Sequence, residues 1–277
     1  MAKTSDKLDN FRKLLDYGAT KLQSFDGKNT KDMTDRQVFL LASFAAVHSY
    51  ADGIFWLLEK GSVAASNVLL RSIVENYINT HWLLSDPEPE KNIRYAQFGF
   101  EDTQKELDLF HFIKKFRKDN PDFDTGEFTD EKLKELIDKR KAEIAQLIAV
   151  AGEDVKTVPR IYQRAQQADA DSTHLPDGHR GGVYWQYLLV YSHLCNATHL
   201  GSRGLDPHLA DSSGQQIFSM EARTFPAESI TNVAYVYYVT LLDFLVSEHG
   251  IKDEQAMQDF TNVVDAEIKQ GKTATVN

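Results

Sequence analysis

The segment SVAASNVLLRSIVENYINTHWLL, residues 62–84, decides the fold. Val68, Leu69, Leu70, Ile73, Val74, Ile78, Trp82 and Leu83 recur at three- and four-residue steps, the spacing of an α-helix. They leave one narrow polar stripe, Asn67, Arg71, Glu75 and Asn79, each four residues apart. A helix apolar on its other faces belongs in a core, so Arg71 is expected to be buried. A buried guanidinium needs an acceptor, and Glu75, one turn on, is the expected partner. Two roles then compete. The pair is either a structural ion pair that fixes helix register, or an anion-binding arginine oriented by a carboxylate.

Reading outward, the helical period continues and strand-like alternation is nearly absent. A helix is expected at about 34–60, capped by Thr34 with Gln37 in capping-box position and ended at Gly61. The short link at Gly61 makes it an antiparallel hairpin with 62–84, where Ser62 is the expected cap. A further helix is expected from Pro89 to about Arg117. After a turn-rich stretch, Thr129 caps a charged amphipathic helix, about 130–151, closed by Gly152. A short helix near 159–168 and an aromatic-rich one near 183–200 follow. An apolar helix near 227–249 and a last one near 252–270 complete the pattern. The expectation is an all-α helical bundle of about seven to nine helices forming one domain over 1–277. Its core lies at about 34–250, and 251–277 is a C-terminal helix and tail. One charged amphipathic helix pair projects or is inserted, with 119–182 as the candidate insertion.

The chain has 277 residues and 42% hydrophobic content, enough to bury a core. Lys plus Arg number 31 and Asp plus Glu 41, so the net charge is −10. That balance argues against a general polyanion binder and leaves RNA possible only at a local site. Cys195 is the one cysteine, which points to a reducing compartment, with a cytoplasmic location expected. Residues 1–13 carry no signal-peptide pattern. The longest charge-free run in the late apolar segment, Ser229 to Leu242, is 14 residues, so no membrane association is expected. Phosphate loops, dinucleotide fingerprints and nucleophile elbows are missing. No cofactor is expected.

Two more clusters join the Arg71 stripe as candidates. Ser192, Asn196 and His199 share one helical face near 183–200, with Tyr191 beside them. His199 precedes Gly201 at a helix end, where the dipole favours imidazolium. His48 and Asp52 are one turn apart, so the carboxylate can fix the imidazole tautomer. A metal site at His48, Asp52, Glu75 and His199 is a third reading. Zinc motifs and Glu-x-x-His pairs are missing, and no metal ligand is assigned.

The stretch Leu70 to Tyr77, then Trp82-Leu83-Leu84 and Asp86-Pro87, resembles a bacterial helical family known as a domain of unknown function, number 5677. Tyr191-Ser192 with His199 resembles its second block. The resemblance implies an α-helical protein in which Arg71, Glu75, Tyr191, Ser192 and His199 converge. The second block also resembles the HEPN superfamily, many of whose members are metal-independent ribonucleases in toxin or phage-defence systems. Such an activity would take Arg71 from one helix and His199 from another. The leading expectation is a ligand- or protein-binding module with Arg71, Glu75, Tyr191, Ser192 and His199 at its centre. Asn67, Asn79, Asn196, His48 and Asp52 are the candidate ligand contacts. The alternatives are a HEPN-like ribonuclease or phosphodiesterase and a metal-binding bundle. An unknown ligand or protein partner and a homo-oligomer are the expected associations.

Overall fold

The computed structural model describes residues 2–122, 126–175, 181–192, 194–195, 226–251 and 255–263. Every regular element among them is helical. In chain order these are α1 (Ala2–Gln23), α2 (Asp35–Glu59), α3 (Val63–Leu84), α4 (Ile93–Asp119) and α5 (Asp130–Ala151). Then follow α6 (Ile161–Ala170), α7 (Val183–Gln186), α8 (Ala227–Glu248) and α9 (255–263). A π-helical turn, Tyr187–Tyr191, continues α7.

The helix ends show why these segments fold as they do. Thr34 Oγ1 accepts from the Gln37 amide and Gln37 Oε1 accepts from the Thr34 amide, a complete capping box for α2. Thr129 caps α5 through the Lys132 amide, and Gly152 ends that helix at φ 79°. Two expected starts differ. The Ser62 side chain makes no capping bond to α3. Pro89 opens only a 3-10 turn, Pro89–Lys91, and α4 begins at Ile93 after Asn92 turns left-handed at φ 52°. Asparagine tolerates that conformation better than most residues, so the stop lies at Asn92.

α1, α2, α3 and α8 make the bundle proper, with α6 and α7 layered on α3. Leu40, Phe44, Val47, Ala51 and Ile54 form the buried seam of α2. Ile73, Val74 and Ile78 of α3 meet it, as do Ala234, Tyr238, Leu242 and Leu245 of α8. Each large side chain buried this way contributes roughly 1.5–3 kcal/mol. α1 adds Phe11, Leu14 and Leu15. Gly18 lets α1 approach α8, because a Cβ there would lie 1.9 Å from the Tyr238 hydroxyl. α2 and α8 are long and apolar enough by length and composition to cross a membrane. α8 buries twelve residues in the bundle, which accounts for its apolarity.

α4 and α5 form an antiparallel pair with a small core of their own, Leu107 and Phe110 against Leu133 and Ile137. α5 is the charged amphipathic helix expected at 130–151, but its partner is α4, which precedes the 119–182 segment considered as an insertion. Ion pairs flank that core, such as Arg140 of α5 with Glu106 of α4 and with Glu143 of its own helix.

Candidate functional site

The polar stripe of α3 exists as a stripe, but its four members meet different neighbours. Asn67 is buried at 2% exposure and donates to the Val63 carbonyl of its own helix, 3.0 Å away. Asn79 accepts from Arg164 of α6 at 2.8 Å. Arg71 and Glu75, between them, meet Tyr191 on the π turn.

The placement of Tyr191 has a traceable cause. Both carboxylate oxygens of Asp169 accept backbone N–H groups at the start of α7, Val183 at 2.8 Å and Tyr184 at 3.1 Å. A carboxylate at a helix start is also favoured by the dipole. Tyr237 of α8 donates to Gln186 Oε1 at 2.6 Å. With α7 pinned from two sides, the wider π turn then carries Tyr191 against α3. Tyr184, Tyr187 and Tyr191 stack in sequence along it, at 6.1 and 5.6 Å between ring centroids. Single π turns of this kind recur at functional sites.

At the contact, Tyr191 donates to Glu75 Oε2 at 3.0 Å. Arg71 Nη2 donates to the same phenol oxygen at 3.4 Å, and its guanidinium lies 5.5 Å from the Tyr191 ring centroid. Arg71 and Glu75 themselves are 3.9 Å apart, so the phenol bridges them. Burial raises the Tyr191 pKa and neighbouring Glu75 adds to it, so the phenol stays a donor. Burial works against the Arg71 charge, but Tyr191 and Cys195 beside it outweigh that and hold Arg71 above its ordinary value.

The expected burial of Arg71 is not what the structure shows. Its side chain is 29% exposed and that of Glu75 is 44% exposed. The cause is local: α7 and the π turn cover only one flank of the stripe. On the other flank, Glu75 lines an open groove of about 280 Å³ with Ala46, Tyr50, Ser72, Asn76 and Asn79. The Asn76 side-chain oxygen is already held by Ser43 and Thr80.

Two other arginines show the contrast. Arg164 is 5% exposed and donates to the Pro159 carbonyl at 2.9 Å, to Asn79 and to Glu101. Arg94 is 9% exposed and donates to the Trp82 carbonyl, to Ser85 and to Asp171. Both guanidiniums lie beside the fully buried Trp82 ring, 5.0 and 5.6 Å from its centroid. The Trp82 indole donates to Gln167 at 2.7 Å. This hub joins α3, α4 and α6. Sequence reading missed it, although Arg164 stands on the buried face of α6 with Ile161, Ala165 and Ala168. Arg71 has no such saturation. Its Nε has no hydrogen-bond partner among the described residues, and its bond to Tyr191 is long.

The remaining candidates fall elsewhere. Ser192 donates to the Leu188 carbonyl of its own helix, so its hydroxyl is engaged locally. Asn196 and His199 lie outside the described residues. His48 does not hydrogen-bond Asp52. Its Nδ1 pairs with the Tyr238 hydroxyl at 2.7 Å, while Asp52 meets Arg12 at 3.3 Å. The core partner wins because Tyr238 lies within the bundle seam, whereas Asp52 faces α1. Among the described residues no three His, Cys, Asp or Glu side chains converge as metal ligands. His48, Asp52 and Glu75 therefore do not assemble the metal site considered from the sequence.

His48 makes a pH prediction. Burial lowers its pKa below 6.5 and outweighs the nearby Asp52 charge. The unfolded chain then binds the extra proton more readily than the folded one. The stabilisation is complete above pH 6.5 and is lost as pH falls through the folded pKa. Thermal unfolding at about pH 7.5 and about pH 5 is expected to show a lower melting temperature in acid. His48→Gln is expected to flatten that slope, and an unchanged slope contradicts the assignment.

Neither the curated proteins nor the solved structures hold a match to the chain. A family model does match, over residues 37–216, which takes in the Arg71 stripe, Tyr191 and the α4–α5 pair. The chain belongs to the family of unknown function DUF5677.

Proposed function

We propose that the protein is a ligand-binding helical module in which Arg71 recognises a single anionic group, a carboxylate or a phosphate. The observation that carries this reading is the contrast between arginines. Arg94 and Arg164 are buried and saturated, whereas Arg71 is 29% exposed and its hydrogen bond to Tyr191 is long, at 3.4 Å. A guanidinium has five donors in a planar fork, and the hydrogen bond to Tyr191 uses one of them, so the part-exposed Arg71 keeps donors for a ligand. Tyr191 covers one side of it and is held by Glu75. The groove beyond Glu75 offers hydroxyl and amide edges for the rest of a small ligand. The net charge of −10 favours a small anion over a polyanion, because long-range repulsion grows with ligand charge.

A phosphodiesterase of the HEPN kind, in a defence or toxin setting, would use the same guanidinium. It also requires His199 at the phosphate, and His199 lies outside the described residues. The binding reading needs only groups whose geometry is known. The test is thermal unfolding with inorganic phosphate, phenyl phosphate and citrate. A bound anion raises the melting temperature by mass action. A rise in the wild type that vanishes in Arg71→Ala supports the proposal, and equal behaviour of the two proteins contradicts it. Incubation with total RNA is expected to give no cleavage. Cleavage lost in both Arg71→Ala and His199→Ala would replace the binding reading with the enzymatic one.

A further inference from the structure

The α4–α5 pair carries a surface that the ligand site does not explain. α5 packs on one side of α4 through Leu107 and Phe110. The opposite side of α4 faces solvent, yet it presents Leu109 at 51% exposure and Phe112 at 63%. Phe116, one turn on, stacks against Phe112 at 6.2 Å between centroids. The three residues follow at steps of three and four, so they form a straight seam along the helix. An exposed apolar seam rimmed by charges is the composition of an interaction surface.

The charges on that rim identify the occupant. Lys105, which also reaches Glu101 at 2.8 Å and Asp102 at 3.9 Å on its own helix, and Asp108, Lys115 and Asp119 are all exposed and flank the seam. Lys105 and Asp119 lie two turns before and after Phe112, with opposite signs. Asp108 and Lys115 lie one turn before and after it, again with opposite signs. Asp108 is four residues away and Lys115 three, so the charge pattern is antisymmetric about Phe112 to within one residue. A second copy laid antiparallel, with the two-fold axis at Phe112, sets Lys105 opposite Asp119 and Asp108 beside Lys115. It does so twice, as an isologous interface requires. A parallel copy would set each charge against its like. Leu109 then meets the Lys115 stem and Phe116, while Phe112 meets Phe112.

We infer that the chain forms a two-fold dimer through antiparallel pairing of the α4 seams, giving a four-helix arrangement of α4 and α5 from two copies. This inference goes beyond the ligand-binding reading and stands independently of it. The test is sedimentation velocity of the full chain over a range of concentrations. The wild type is expected to dimerise. Phe112→Asp is expected to weaken association by roughly a hundredfold or more, since the change is made on both sides of the axis. Circular dichroism melting checks that this exposed substitution leaves the fold intact.

The charge exchange tests the register. Asp119→Lys is expected to weaken the dimer about threefold to tenfold without lowering the melting temperature, because a cation at a helix C-terminus is favourable. Adding Lys105→Glu to it is expected to restore association. A wild type that is monomeric at every concentration overturns the inference. So does a dimer insensitive to Phe112→Asp, or a double charge variant that stays as weak as Asp119→Lys alone.

Discussion

Arg164→Ala lowers the unfolding free energy by about 3 kcal/mol, the largest loss expected of any single charge removal here. The substitution empties a buried position that is 5% exposed. It strands Asn79 and the Pro159 carbonyl, and it takes the guanidinium away from the Trp82 and Phe98 rings. It also leaves Glu101 half-buried with only Lys105 to balance it. Burial opposes ionisation of Glu101, but hydrogen bonds from Lys105 and Arg164 outweigh it and hold its pKa low. That contribution is present above about pH 4.5 and is lost as pH falls through the folded value. Because Glu101 is partly exposed, solvent screening keeps its share small. Equilibrium urea unfolding followed by tryptophan fluorescence checks the prediction. Trp82 is fully buried while Trp56 and Trp185 are 48% and 63% exposed, so the spectral shift reports chiefly on Trp82. Arg164→Lys keeps the charge but not the planar fork and is expected to recover only part of the loss.

Arg71→Ala is expected to do the reverse. It costs less than about 1 kcal/mol of stability, because the guanidinium is part-exposed and its ion pair with Glu75 is 3.9 Å long. It weakens binding of an anionic probe by about tenfold to a hundredfold, the range of a hydrogen bond to a charged group. A register-setting ion pair would give the opposite result, several kcal/mol of stability and no effect on binding. The two arginines therefore separate two roles in the same fold, Arg71 on α3 and Arg164 on α6, where it binds Asn79 of that same α3 stripe. One cation is consumed by structure, and the other is left for a partner.

Much of the fold was legible because its signals are local. The period of three and four residues located α2, α3, α5 and α8, and Thr34, Thr129 and Gly152 marked ends with hydrogen bonds that need no distant partner. The α4 start was misplaced because Pro89 suits both a helix and a 3-10 first turn, and only the left-handed Asn92 tells them apart. The site was legible in part. Helical spacing put Asn67, Arg71, Glu75 and Asn79 on one face, but spacing says nothing of what faces them. Asn79 is drawn to Arg164 and His48 to Tyr238 by packing between segments far apart in sequence. The π turn is another such case. Its extra residue per turn changes the face that Tyr191 and Ser192 present, and no residue pattern announces it.

The most direct test of Arg71 as an open recognition group is its side-chain Nε–H signal in a nitrogen-15 correlation spectrum, assigned by its absence in Arg71→Lys. On titration with inorganic phosphate, the Arg71 signal is expected to shift in a saturable way while those of Arg94 and Arg164 stay fixed. An Arg71 signal that does not respond, or one that moves only together with Arg94 and Arg164, would contradict the account.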